Sequence, residues 1–210
     1  MLLFSDTGTW SISSSTNSFT LAGWVQMTNL TARVIGDVSL NNYAWIVVKS
    51  DLDAQGFSWG LGISPNYPKT GASTTTAAFI FNAYTYVTTR AKLMHNSQHQ
   101  QGNRWTTDRY RMLQNNCSPL LTTIFFLQQS ASNSYVKGTW YHVAGVFNSG
   151  GSMYIYVNGQ KVGTQSLRGA SVSESSSPVY IGGPNFQGYL DDVRIYNYSL
   201  SASQVYIYSH

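Results

Sequence analysis

The sequence predicts an all-β protein of sandwich type with one short C-terminal helix. Three observations carry that expectation. Apolar or alternating runs of strand length fill the chain, and turn residues separate them. Asn158-Gly159 falls between two such runs, the strongest short-range hairpin signal. Ser201-Ala202-Ser203-Gln204 has the Ser-x-x-Gln spacing of a capping box, enough for a turn or two of helix.

The strands follow in order. Residues 19–27 read FTLAGWVQM, aromatic and alternating. Residues 43–49 read YAWIVVK, and 56–63 read GFSWGLGI, whose glycines predict a bulge or a close backbone approach. Residues 77–87 and 120–127 are apolar runs. In 139–148, TWYHVAGVFN, Trp140, His142, Ala144 and Val146 share one face, with Tyr141, Val143, Gly145 and Phe147 on the other. Both faces are mostly apolar, so this strand should be largely buried. The runs 153–157, 160–167, 179–182 and 188–196 complete the set.

At 210 residues the chain suits one large domain, 1–210, able to bury a core without staples. Cys117 is the one cysteine and forms no internal disulfide. Charged residues make up 10% of the chain, against about 25% in an average protein. Ser, Thr, Asn, Gln and Gly supply polarity instead, and Tyr is abundant. Such residues build wet, adaptable contact surfaces, although Tyr and Thr also simply suit strands. Met1-Leu2-Leu3-Phe4 lacks a basic start and stops at Ser5 and Asp6, so no signal peptide is expected in this chain. No apolar run has the length of a membrane helix, and no membrane insertion is expected. The sequons at Asn29, Asn116 and Asn197 are no more than this Ser- and Thr-rich composition supplies.

Four segments carry a family resemblance: FTLAGWVQM (19–27), WIVVKSD (45–51), GTWYHVAGVFNSGGSMYIYVNGQKVGT (138–164) and VYIGGPNFQGYLDDVRIYNYSLSASQV (179–205). The last two are the most specific. Together the segments resemble the laminin-G-like jelly rolls of the concanavalin A-like lectin/glucanase superfamily. The resemblance implies a two-sheet antiparallel jelly-roll sandwich that binds glycans, proteins or both, in some members with a structural calcium ion. It implies that Asp191, the first Asp of DDVRIY, can hold calcium, with Asp6 assisting. The competing expectation is that Asp191 caps or pairs locally, for instance with Arg194. Fold alone does not decide function.

The superfamily's glucanases raise the question of hydrolysis. Most glycosidases need two carboxylates flanking the scissile bond. Glu174, the one glutamate, lies in a Ser-rich stretch, and Asp51 and Asp53 read as a solvated turn. Asp191 and Asp192 are adjacent and should point to opposite faces of a strand. No Gly-x-Ser-x-Gly elbow occurs. His95 and His99 have i, i+4 spacing but lack the metalloprotease glutamate, and His142 reads as a packed strand residue. The chain is expected not to be an enzyme.

Residues 90–119 match nothing in the family. Arg90, Lys92, Arg104, Arg109 and Arg111 against Asp108 give this inserted segment the whole chain's formal charge of +4. Trp105 and Tyr110 are interleaved. Basic residues among aromatics can hold nucleic acid, an acidic glycan or a neighbouring subunit, or form an ordinary solvated loop. The sandwich resembles no nucleic-acid module, so nucleic acid is not expected. Two functions remain. One is a structural or adhesive component of a virion or other particle surface, bound to protein subunits or glycan, with homo-oligomers among its states. The other is a carbohydrate-binding module of a secreted or cell-surface protein, using residues such as Trp59, Tyr67 or Trp105.

Overall fold

Alternation along each strand becomes two opposed faces once the strands pair. The structure, a computed structural model, describes residues 2–4, 18–29, 43–50, 58–64, 78–87, 121–128, 135–166, 171–172, 177–183 and 185–210. Its elements are β1 (Leu2–Phe4), β2 (Phe19–Met27), β3 (Ala44–Lys49), β4 (Trp59–Ser64), β5 (Ala78–Val87), β6 (Leu121–Gln128), β7 (Trp140–Phe147), β8 (Ser152–Val157), β9 (Gln160–Ser166), β10 (Ser171–Val172), β11 (Val179–Ile181), β12 (Gly188–Tyr196) and α1 (Ala202–Tyr208). The sandwich expected from the sequence is what forms. The short strands β1 and β10 were not anticipated, because two or three residues carry no readable period.

Two antiparallel sheets result. One has five strands in the order β12-β2-β7-β8-β9. The other has seven, ordered β1-β11-β3-β4-β5-β10, with β6 also paired to β5. β5 and β6 are therefore adjacent strands, and the basic insertion connects them. Its residues, Arg104, Trp105, Arg109, Tyr110 and Arg111 included, lie outside the described residues.

The inner faces meet in one apolar core. Phe19, Leu21, Val25 and Met27 of β2, Val143 and Phe147 of β7, and Met153, Ile155 and Val157 of β8 come from the five-stranded sheet. Ile46, Val47, Trp59, Leu61, Ile63, Phe79, Phe81 and Ala83 face them from β3, β4 and β5. Phe19 is the hub. Its ring stacks on Phe147 at 5.2 Å and lies 5.7 Å from Trp59 and 5.8 Å from Phe81. Gly145 sets how closely the sheets approach, since a Cβ there would sit 2.6 Å from Phe81 Cγ and Cδ2.

Each outer face is also partly apolar. On the seven-stranded sheet the Trp45 ring lies over Gly60 and Gly62, where a Cβ would come within 2.6 and 2.8 Å of it. This is the close approach that the glycines of residues 56–63 predicted. On the five-stranded sheet Val205 of α1, with Leu200 just before the helix, packs against Ala22, Ala144, Val146 and Tyr156. Both capping-box bonds form, from Gln204 N to Ser201 Oγ and from Ser201 N to Gln204 Oε1. Thr20 Oγ1 donates to Tyr198 O and accepts from Leu200 N, tying the approach to α1 onto β2.

Replacing Gly145 by alanine overpacks the sheet interface, which is expected to cost about 1–3 kcal/mol. At about 2–4 °C per kcal/mol for a protein this size, thermal unfolding should show a clear fall in Tm. Phe81→Leu in the same chain should recover part of it; a Gly145→Ala variant as stable as wild type would contradict this account of the interface.

Candidate functional site

The outer face of β2 carries Thr20, Ala22, Trp24 and Gln26, because Leu21, Val25 and Met27 turn inward. Register places neighbours beside each. Gln26 stands between Trp140 of β7 and Tyr189 of β12, and Trp24 stands between His142 and Asp191. The next two rungs, at Ala22 and Thr20, lie under α1 and its approach. The helix covers one end of this face and leaves the other open. At the open end Trp140 is 40% exposed and Tyr189 61% exposed.

Several bonds hold the open end in place. Gln26 Nε2 donates to Gly138 O at 2.8 Å, and Gly138 N donates to Met27 O at 2.8 Å. Val136 N donates to Tyr141 Oη, whose ring packs edge-on against Tyr135. Thr28 N donates to Gln187 O just before β12 begins. Gly188 then lets β12 run close along β2, since a Cβ there would collide with the carbonyl oxygen of Gln26. Trp140, Gln26 and Tyr189 thus share one hydrogen-bonded rung, an amide between two exposed aromatic residues.

Asp191 and Asp192 do not simply alternate. A register shift lies between Asp191 and Arg194, with Asp192 in the left-handed region at φ 47°. Asp192 N donates to Asp191 Oδ1, and Arg194 Nε donates to Asp192 Oδ1 at 2.7 Å. Asp191 thus accepts a local backbone bond, as the competing expectation had it, while Arg194 pairs with Asp192 and not with Asp191. This bulge corrects the expectation of opposite faces, because the extra residue breaks the two-residue period.

His142 is packed, as expected of a strand residue. It is 3% exposed, its ring edge-on to Trp24 at 5.5 Å, and its Nδ1 has no hydrogen-bond partner. Burial lowers its imidazole from 6.5 to about 4; Asp192 acts to raise it, while Arg194 and His210 act to lower it. The ring is therefore neutral near pH 7. Asn158 Oδ1 accepts from His142 N, and Asn158 N donates to His142 O, so the Asn-Gly hairpin grips this strand.

The other candidates from the sequence are not gathered here. Trp59 is a core residue, 2% exposed and packed on Phe19, so it offers no face to a ligand. The physical reason is register: Trp59 pairs with Lys49 and Ala83 on the inward face of β4. Tyr67 and Asp6 lie outside the described residues, as do Cys117, His95, His99, Glu174, Asp51 and Asp53. Asp191 is exposed. Among the described residues no three His, Cys, Asp or Glu side chains come together as a metal site, whereas calcium takes 6–8 oxygen ligands. No described helix is long and apolar enough to cross a membrane.

With this geometry in view, comparison with known proteins places the fold. Residues 125–206 match the family model of the concanavalin A-like lectin/glucanases superfamily. The match covers less than half of the chain and marks a likeness to the laminin-G-like jelly rolls of that superfamily. Among solved structures, a candidate carbohydrate-binding protein of Bacteroides ovatus is similar at 15% identity and a TM-score of 0.54, over 97% of this chain and 42% of that one. The binding domain of botulinum neurotoxin DC, solved with rat synaptotagmin II, is similar at 13% identity and 0.52, over 99% and 39%. The binding domain of Paraclostridial Mosquitocidal Protein 1 gives 16% and 0.51, over 91% and 36%. The chain thus spans about two fifths of the length of each. These likenesses are of fold. No curated protein sequence matches the chain.

The depressed His142 has a measurable consequence. Its unfolded form binds a proton near 6.5 and its folded form near 4. Its contribution to stability is therefore fully present above pH 6.5 and is lost as pH falls toward 4. His142→Phe should flatten the fall of Tm between pH 7 and pH 5. Equal slopes in the two proteins would refute a neutral, buried His142.

Proposed function

We propose that this chain is a non-catalytic glycan-binding module whose site is the open end of the five-stranded sheet. The observation that carries this reading is the Tyr189–Gln26–Trp140 rung. The C–H face of a sugar is apolar and slightly positive, and it suits the negative face of an aromatic ring. Hydroxyl groups require acceptors and donors with fixed directions, which a tethered amide supplies. Among the described residues, Gln26 Oε1 and the second oxygen of Asp191 accept no hydrogen bond that a ligand would have to displace. The neighbouring binding domains and the candidate carbohydrate-binding protein support a binding role on this fold. Nothing in the rung provides the two flanking carboxylates that most glycosidases use.

A second reading has its own observation. Helix α1 exposes Tyr206 and Ile207, with Tyr198 exposed near its start, and aromatic anchors of this kind are common in protein contacts. It supports a surface component of a virion or other particle, held by protein subunits through α1, with the aromatic rung turned outward. Co-sedimentation with a larger particle in fixed stoichiometry would support it, and its absence in the native source would remove it.

The glycan reading is tested on a glycan array with the full chain, followed by titration of the best ligand. Trp140→Ala and Tyr189→Ala should each weaken binding by about tenfold or more, with unchanged Tm. Tyr206→Ala should leave binding intact. Full affinity in both rung variants would reject this surface as the site.

A further inference from the structure

Resting on that reading, we infer that the site takes the interior of a neutral polysaccharide laid across β7, β2 and β12, not the terminal sugar of a branched or acidic glycan. Span is the first argument. Trp140 and Tyr189 flank one residue of β2 in a single rung. Adjacent strands lie about 4.8 Å apart, so their backbones are about 9–10 Å apart. One sugar ring is narrower than that. Both aromatic rings are engaged together only by two or more linked sugars.

The second argument is that the rung is open at both ends. β12 is the edge strand of its sheet, so among the described residues no strand lies beyond Tyr189. On the other side β8 pairs with β7 only from Val143 to Phe147, and the strand register stops short of Trp140. Among the described residues a chain crossing the rung therefore meets no flanking strand on either side, whereas recognition of a terminal sugar needs a closed end.

Charge is the third. The rung itself holds two aromatic residues and an amide. Lys137 and Asp191, one of each sign, are the exposed ionisable side chains beside it in the strands and turn that form it. Asp192 and Arg194 neutralise one another. Among the described residues no cluster of cations adjoins the rung to select carboxylated or sulfated sugars, which call for Arg or Lys. Gln26 is the positioning group. Its Nε2 is committed to Gly138 O, so Oε1 is the acceptor it has left to offer a hydroxyl between the two stacked sugars.

The test is titration of the full chain with ladders of neutral gluco-, xylo- and manno-oligosaccharides, from monosaccharide to hexasaccharide, alongside the corresponding polymers. Sialylated and sulfated glycans at low and high salt form the parallel arm. In at least one neutral ladder, affinity should rise about tenfold or more from monosaccharide to tetrasaccharide. Capping either chain end should leave it unchanged. Trp140→Ala and Tyr189→Ala should each flatten the length dependence, and Gln26→Ala should weaken the longer ligands. Binding of a monosaccharide with no gain in length, or salt-sensitive binding of acidic glycans alone, would overturn this inference while leaving a glycan-binding module. Silence across both arms, with a folded protein, would overturn that module as well.

Discussion

The close approach of the two sheets at Gly145 is the constraint on which the rest of this structure depends. Phe81 reaches from β5 onto the bare backbone of β7, and Phe19 of β2 packs against its edge. A side chain at position 145 would hold the sheets apart there and loosen the Phe19 contacts with Trp59 and Phe147. Interiors are packed to crystal-like density, so such a gap is not absorbed locally. The missing Cβ is therefore what allows the aromatic hub to close. Because β2 and β7 bear that hub, it also fixes which of their residues point outward.

The outward residues divide between two uses. Where they are small or apolar, at Ala22, Ala144 and Val146, Val205 of α1 and Leu200 of its approach cover them. Thr20 joins that region by hydrogen bonds instead of bulk. The Asn-Gly hairpin seats the far end of the helix, where Gly159 leaves no room for a Cβ beside Ser209. A seven-residue helix cannot cover the whole face, and the uncovered part is where Trp140, Gln26 and Tyr189 stand. Trp24 and His142 sit in the next rung, and the buried imidazole stays neutral because charging it there would forfeit its hydration. Covering and exposing are thus two outcomes of one strand register.

The sequence was a good guide wherever the signal was local. The faces of β7 were readable from its alternation, including that Trp140 and His142 share one of them. Exposure was not. Trp140 and Trp59 are the same residue type in similar apolar strands, yet one lies at an open rim and the other beneath Phe19. Burial depends on what the other sheet places opposite, and no period along one strand carries that information. Tyr189 and Gln26 drew no attention for a related reason. Each is ordinary by itself, and their partnership with Trp140 exists only across strands far apart in the chain.

What the sequence determined alone was therefore its strands, its Asn-Gly hairpin, its helix cap and the likeness of its sandwich to a known family, because each rests on patterns of residues near in the chain. Tertiary structure decided the rest. It chose which aromatic residues face solvent, paired Arg194 with Asp192 through a bulge, and brought residues 26, 140 and 189 into one rung. The physical reason is that strand pairing adds contacts between distant segments whose register is set by burial on the opposite face. A single residue of slip would turn Gln26 inward and leave no rung to bind anything.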